Sequence, residues 1–160
     1  MSVKRILFVC TGNSCRSVMA AGLMQHALTR ARIDTISVES AGVFAIGGML
    51  PTRETQRLLK DIGVDCAAHR ARGLTTELIE ASDLIFVMES FQAEEVFRRV
   101  PVARGKTHLL KAYNRAPGDV VNNPTIPDPI GKPLEVYEVC FVEIREAIER
   151  VVKSLGVVST

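Results

Sequence analysis

The chain has 160 residues, of which 47% are hydrophobic, so it can fold around one sizeable core and is not a disordered protein. Its 20 basic and 18 acidic residues leave a net charge of +2, which gives no basis for a nucleic-acid partner or a membrane surface. No apolar run approaches the roughly 18 residues that span a bilayer, and no secretory leader is visible. We therefore expect one cytoplasmic domain over residues 1–160. In such a protein the four cysteines are expected to be thiols: Cys10, Cys15, Cys66 and Cys140.

Apolar patterns predict that strands alternate with helices along the chain. Short continuous apolar runs indicate buried strands, whereas apolar residues three or four positions apart indicate helices. Such alternation is typical of a mostly parallel sheet with helices on both faces. In chain order the predicted elements are a strand at 4–9, a helix at 17–30, a strand at Thr35–Ser40, a helix at 52–62 ended by Gly63, a short helix at Thr75–Ala81 capped by its threonine, a strand at Leu84–Val87, a helix capped by Ser90 and ending near Val100, a strand at Lys106–Leu110 and a helix from about Leu134.

The segment Lys111–Lys132 has no apolar periodicity and contains four prolines. Loops of this length are uncommon in small domains and are usually functional or disordered. Asp128 lies between Pro127 and Pro129, and prolines on both sides restrict the backbone that carries its carboxylate. Asp128 is therefore a candidate functional residue.

The residues directly after the first predicted strand carry the clearest chemical pattern. Cys10 lies at the carboxyl end of that strand, where ligands bind in open α/β sheets, and the loop Thr11–Cys15 leads into a helix N-terminus that favours an anion. Gly12 and Asn13 tolerate positive φ, so backbone N–H groups can turn inward. Arg16 offers a planar fork for two phosphate oxygens. This pattern predicts an anion-binding loop whose thiolate attacks phosphorus.

Two familiar phosphate-binding motifs are missing from the chain. The sequence contains neither G-x-x-x-x-G-K-[ST] nor G-x-G-x-x-G, so a nucleotide P-loop and a dinucleotide site are unsupported. On spacing alone a structural alternative also stays open. In that alternative Cys10 is a buried residue of a tight turn and Arg16 is a surface arginine.

The stretch Cys10–Ser17, CTGNSCRS, resembles the active-site signature of the low-molecular-weight protein-tyrosine-phosphatase family. The resemblance continues in the family's order through Ser40–Gly42, His69–Met88 and Ile126–Cys140. It implies a single α/β domain with a four-stranded parallel sheet, helices on both faces and a phosphate-binding loop after the first strand. It also implies two-step hydrolysis of a phosphoprotein, with release of inorganic phosphate and without a metal or other cofactor.

Carried over position by position, the resemblance assigns catalytic roles. Cys10 would be the nucleophile and Arg16 the phosphate clamp. Asp128 would be the general acid that protonates the leaving group and then the base that activates water. Ser17 would hydrogen-bond the thiolate and help it leave. The phosphate-binding residues would be Thr11, Gly12, Asn13, Ser14, Cys15, Arg16 and Ser17.

The same resemblance assigns supporting roles and reveals two departures from the family pattern. Asn13 would hold the unusual backbone of the loop, with Ser40 and His69 behind it. Val18 replaces a frequent proline. Ile130 replaces the aromatic residue that often follows Asp-Pro, which weakens one wall of a phosphotyrosine slot.

The loop is compatible with more than one function. Phosphotyrosine and phosphoarginine both stay open as substrates, because Ser14 is small and polar where tyrosine phosphatases of the family usually carry a bulky aliphatic residue. The arginine phosphatases carry threonine there and share SAGVFA, residues Ser40–Ala45. A more distant alternative is a thiol-dependent arsenate reductase, but those enzymes place further cysteines after the third buried strand, where this chain has Met88. A module that only binds phosphoproteins would not need the complete catalytic set named above.

Cys15 gives the predicted site a second thiol. It follows Cys10 by five positions on one curled loop. A thiol beside a reactive thiolate can trap the oxidised form as a disulfide. We therefore expect reversible inactivation by peroxide.

Overall fold

The computed structural model describes residues 2–157. Its strands are β1 (Arg5–Cys10), β2 (Ser37–Gly42), β3 (Leu84–Val87) and β4 (Thr107–Leu109). Its α-helices are α1 (Arg16–Arg30), α2 (Arg53–Asp61), α3 (Thr76–Ala81), α4 (Ser90–Arg99) and α5 (Leu134–Ser154). Two 3₁₀ turns lie at Pro101–Lys106 and Leu110–Ala112.

The four strands form one parallel sheet in the order β2-β1-β3-β4. β1 is central, and its residues after Arg5 are buried on both faces. Ile6 and Phe8 pack in a core with α1 and α5, whereas Leu7 and Val9 pack in a second core with α3 and α4. Burial of each large apolar side chain stabilises the fold by about 1.5–3 kcal/mol. Because β1 lies between two cores, side chains on both of its faces are buried, and its sequence is a continuous apolar run. The architecture confirms the predicted fold class.

The register of the sheet brings the ends of β1 and β2 together. Cys10 pairs with Gly42, and the Cys10 carbonyl accepts the Val43 N–H at 2.9 Å. A Cβ at Gly42 would lie 2.5 Å from the Thr11 carbonyl oxygen. Only glycine therefore allows β2 to end directly against the loop that follows Cys10.

Several element boundaries differ from the sequence predictions. Helix α4 is capped at Glu89, not at Ser90, because the Gln92 side chain accepts the Met88 and Glu89 N–H groups at 2.8 and 3.0 Å. β2 covers Ser37–Gly42 instead of Thr35–Ser40, since its pairing partners are the six residues of β1. The predicted threonine cap at Thr75 is confirmed: its hydroxyl accepts the Leu78 N–H.

The residues between the second 3₁₀ turn and α5 form neither helix nor strand, as the sequence predicted for this region. We call residues 113–133 the acid segment because Asp128 lies within it. No helix in the described part of the chain is long and apolar enough to cross a membrane.

Candidate active site

A tight loop joins β1 to α1 and curls around the sulfur of Cys10. We call residues 10–16 the anion loop. Cys10 is buried, and its Sγ accepts the Asn13 N–H at 3.2 Å and lies 3.0 Å from Ser17 Oγ. Asn13 has a φ of 55°, which asparagine tolerates better than most residues. The loop therefore directs a backbone donor and a hydroxyl at the Cys10 sulfur.

Asn13 holds the loop in this conformation through its whole side chain. The side chain is fully buried, and its Nδ2 donates to Ser17 Oγ at 2.8 Å and to Ser40 Oγ at 2.9 Å. Its Oδ1 accepts the Arg72 N–H at 3.0 Å. The backbone carbonyl oxygen of Asn13 accepts from His69 Nε2 at 2.9 Å. Because Ser17 Oγ already accepts from Asn13, its own proton is available for Cys10. The structure thus brings the predicted support residues together.

Arg16 is buried beside the anion loop with its guanidinium held in place. Its Nη1 lies 2.7 Å from Glu89 Oε2 and donates to the Ile126 carbonyl at 2.8 Å. Its Nη2 donates to Thr11 Oγ1 at 3.4 Å. Its Nε is buried and has no hydrogen-bond partner among residues 2–157. A buried donor without a partner is costly, and an oxyanion over the loop would satisfy it. The surface-arginine alternative is therefore wrong.

Asp128 reaches the same site from the acid segment. Its Oδ2 lies 3.5 Å from Arg16 Nη2, and its Oδ1 accepts the Ile130 N–H at 3.1 Å. Its side chain is 36% exposed. The small cleft above the sulfur is lined by Cys10, Gly12, Ser14, Cys15, Arg16, Asp128 and Ile130.

Cys15 is also in the cleft but has a different environment. Its Sγ lies 3.6 Å from Thr52 Oγ1 and 3.7 Å from Tyr137 Oη. Burial raises the pKa of the Cys15 thiol above its usual value, so this sulfur stays protonated at neutral pH. Thr52 also donates its N–H to the Ser14 carbonyl at 3.1 Å, which ties the anion loop to the start of α2.

The remaining cysteines match the sequence predictions. All four cysteines are free thiols; Cys140 is buried and Cys66 is half-buried. Burial raises the pKa of Cys140 to about 12. Neither residue lines the cleft above Cys10.

Sequence reasoning missed three residues that contact the site. Glu89 forms the ion pair with Arg16, Gln92 Nε2 donates to Thr11 Oγ1 at 3.1 Å, and Arg72 holds Asn13. One signal was available for Glu89, because it lies just past the carboxyl end of a buried parallel strand, where α/β sheets bind ligands.

Comparison with known proteins shows which family this loop belongs to. The family model described as low molecular weight phosphotyrosine protein phosphatase matches residues 5–158. The chain belongs to the low-molecular-weight protein-tyrosine-phosphatase family. As a member of this family, the chain is a cysteine-dependent protein phosphatase. Protein-arginine phosphatases are also among its relatives. The hydrolysis typical of this family proceeds through a phosphocysteine intermediate.

Relatives of both specificities resemble the whole chain. A protein-arginine-phosphatase of Geobacillus stearothermophilus is 37% identical over 94% of this chain and 95% of its own length. A probable low molecular weight protein-tyrosine-phosphatase, EpsP, of Ralstonia nicotianae is 33% identical over 92% of both chains. The solved structure of the Erwinia amylovora tyrosine phosphatase AmsI superimposes with a TM-score of 0.84 at 31% identity, covering 96% of this chain and 94% of that one. Overall similarity therefore establishes the phosphatase family and leaves the choice of phosphoresidue to the cleft.

Proposed function

We propose that Cys10 attacks the phosphorus of a phosphorylated side chain while Arg16 binds two of the phosphate oxygens. The S–P bond forms as the bond from phosphorus to the leaving group breaks. Asp128 gives its proton to the leaving group, which departs neutral. One observation carries the proposal: Cys10, Arg16 and Asp128 line one cleft, and Arg16 Nε has no partner among residues 2–157.

The second step would release inorganic phosphate. A water molecule attacks phosphorus as Asp128 takes one of its protons, and the S–P bond breaks. The electron pair returns to Cys10 as a thiolate. Ser17 stabilises that thiolate, since its hydroxyl lies 3.0 Å from the sulfur and is oriented by Asn13. The cycle therefore restores both the thiolate and the protonated acid without any other reactant than water.

We propose that phosphotyrosine and phosphoarginine in proteins are both substrates. The walls of the cleft support this breadth. Ser14 is small, and Ile130 is aliphatic and 53% exposed. Neither offers an aromatic stacking face, so a tyrosine ring gains little, and neither obstructs a flat guanidinium. The test is kcat/KM for phosphotyrosine and phosphoarginine peptides of the same sequence.

Ser14→Ile tests whether this position sets the choice. The larger side chain is expected to add apolar contact to a ring and to obstruct a guanidinium. One methylene in a pocket changes specificity by about 1–3 kcal/mol, so the ratio of phosphotyrosine to phosphoarginine kcat/KM is expected to rise about tenfold. Ser14→Thr is the matched control because it keeps the hydroxyl, and its ratio should shift less. An unchanged or reversed ratio in Ser14→Ile would show that the choice is made elsewhere.

We also propose that peroxide inactivates the enzyme reversibly through Cys10 and Cys15. The Cys10 thiolate reduces peroxide, becomes a sulfenic acid and releases hydroxide. The Cys15 thiol then attacks the oxidised sulfur, water leaves, and a disulfide forms. Both residues line one cleft, and burial raises the pKa of Cys15, so Cys15 enters this reaction as the thiol.

Mass spectrometry after peroxide treatment tests the redox proposal. A Cys10–Cys15 cross-link that thiols remove, with return of activity, is expected. Cys15→Ala should lose this recovery, whereas Cys66→Ala should keep it. Recovery without the cross-link would exclude the disulfide.

Because the nucleophile must stay reduced to act, we place the enzyme in the reducing cytoplasm.

A further inference from the structure

Gln92 is a fully buried polar residue at the start of α4. It lies outside the anion loop and does not line the cleft above Cys10. Burial of a side-chain amide lowers the stability of the fold unless its polar atoms are hydrogen-bonded. The bonds that Gln92 makes therefore indicate what it holds in place.

The two ends of the Gln92 amide bind two different parts of the site. Its Oε1 accepts the backbone N–H groups of Met88 and Glu89 at 2.8 and 3.0 Å. Its Nε2 donates to Thr11 Oγ1 at 3.1 Å. One side chain thus connects the first turn of α4 to the second residue of the anion loop.

The two groups held by Gln92 are the same groups that hold the ends of the Arg16 guanidinium. Glu89 binds Nη1 at 2.7 Å, and Thr11 Oγ1 accepts from Nη2 at 3.4 Å. Arg16 Nε, between these ends and the backbone, is left unpartnered among the described residues. The Ile126 carbonyl also accepts from Nη1 at 2.8 Å, and Asp128 Oδ2 lies 3.5 Å from Nη2. Glu89 makes the shorter contact with Nη1 and Thr11 the shorter contact with Nη2, so both act on the plane of the guanidinium and hence on the direction of Nε.

We propose that Gln92 is a positioning residue for Arg16: its amide fixes Glu89 and Thr11, which hold opposite ends of the guanidinium that binds the phosphate. The inference rests on the proposed role of Arg16. Bidentate recognition of an oxyanion requires the planar fork to match two oxygens. A rotation of the fork weakens binding of the phosphate in the substrate, in the transition state and as free product.

Gln92→Met tests the proposal because it keeps the length of the side chain and removes both hydrogen-bonding groups. A misplacement of about 1 Å can cost up to about 10²-fold in rate. We expect kcat/KM for p-nitrophenyl phosphate to fall at least about tenfold, and the inhibition constant of inorganic phosphate to rise by a similar factor. An unchanged inhibition constant would overturn the proposal, because phosphate binding reports the guanidinium directly.

Thr11→Val provides a second variant that leaves the cap of α4 intact. It keeps the shape of Thr11 and removes the hydroxyl that accepts from Arg16 Nη2 and from Gln92 Nε2. The hold of Gln92 on Glu89 stays, so the loss is expected to be smaller than that of Gln92→Met. Thr11→Ser, which keeps the hydroxyl, should recover most of that loss. The double variant Gln92→Met/Thr11→Val should match Gln92→Met within about twofold, since both act through one guanidinium. Losses that multiply would show that the two residues act separately, contrary to the proposal.

Thr75→Val is the matched control for the loss of a helix cap. It removes the hydroxyl that caps α3, and the hydrogen bond that is lost is to the Leu78 N–H and not to the anion loop. It should lower the urea midpoint while phosphate inhibition stays at the wild-type value. If it weakened phosphate binding as much as Gln92→Met, the effect would be structural and the proposal wrong.

Arg16→Lys separates this inference from the proposed function. If Arg16→Lys lost inhibition by phosphate and Gln92→Met kept it at the wild-type value, the role of Gln92 would be overturned and that of Arg16 would stand.

Discussion

The anion loop and the acid segment contribute the two halves of the site but are built in different ways. In the loop, Cys10 and Asn13 are buried, and every polar group of the Asn13 side chain is hydrogen-bonded. In the acid segment, Asp128 is partly exposed and only Ile126 and Pro129 are buried; the Ile126 N–H bonds to the Met88 carbonyl at 3.0 Å. The phosphate site is therefore preorganised, whereas the proposed proton donor, Asp128, rests on few contacts.

This difference corresponds to the chemistry that we propose for each half. Every phosphorylated side chain presents the same phosphate, so a rigid loop can bind it without adjustment. Leaving groups differ in size and position, and the acid must reach whichever atom departs. A segment with few buried contacts opens locally at a lower free energy than the core. We therefore expect variants in the two regions to affect binding, chemistry and stability differently.

Cys10→Ser is expected to give the largest effect, because it removes the nucleophile and leaves the anion site in place. Turnover should fall by on the order of 10⁴-fold or more, as for other catalytic nucleophiles. Inorganic phosphate should still raise the melting temperature of the variant, since the N–H groups and Arg16 remain. Calorimetry with and without phosphate measures this. Cys66→Ser is the matched control and should hydrolyse normally; near-normal turnover by Cys10→Ser would refute the nucleophile assignment.

Asp128→Ala is expected to slow turnover of poor leaving groups by about 10²–10⁴-fold, which is typical of general acid catalysis. Activated aryl phosphates should lose less, because their leaving groups need less protonation. The measurement is kcat for a series of aryl phosphates that differ in leaving-group pKa. Asp119→Ala removes the other carboxylate of the acid segment and is the matched control. An equal, small loss for all substrates in Asp128→Ala would assign the acid elsewhere.

Asn13→Ala and Asn114→Ala compare the two regions directly, because both asparagines have positive φ, 55° and 52°. Asn13 is buried in its network, whereas Asn114 is exposed and makes one bond, to the Arg150 carbonyl. We expect Asn13→Ala to lower the free energy of unfolding by about 2–4 kcal/mol and kcat/KM by about tenfold or more. Asn114→Ala should cost less than about 1 kcal/mol and leave kcat/KM within about twofold.

Urea unfolding and steady-state kinetics measure both asparagine variants. Asn13→Gly separates backbone from side chain: glycine accepts the positive φ but makes none of the bonds. If Asn13→Gly behaved like wild type, the side-chain network would be unimportant. If the two alanine variants lost equal stability, the contrast between the regions would be wrong.

Sequence patterns predicted the local parts of this molecule correctly. The buried run at β3 and the threonine cap at Thr75 appeared where expected, because each depends on neighbouring residues. The prediction at α4 failed because the cap of this helix does not depend on neighbouring residues alone. Ser90 has the composition of a cap, but Gln92 occupies the backbone donors instead, and its orientation is set by Thr11, 81 positions away.

The sequence by itself determined the anion loop. Its cysteine, its asparagine at positive φ and its arginine lie within seven consecutive positions, so their chemistry follows from local spacing, and the family resemblance placed Asp128 with them. Only the tertiary structure decided what holds Arg16. Glu89 is 73 positions away and reaches the guanidinium because β3 pairs beside β1 in the sheet. Such contacts depend on strand order and on the packing of α4, which apolar periodicity does not encode.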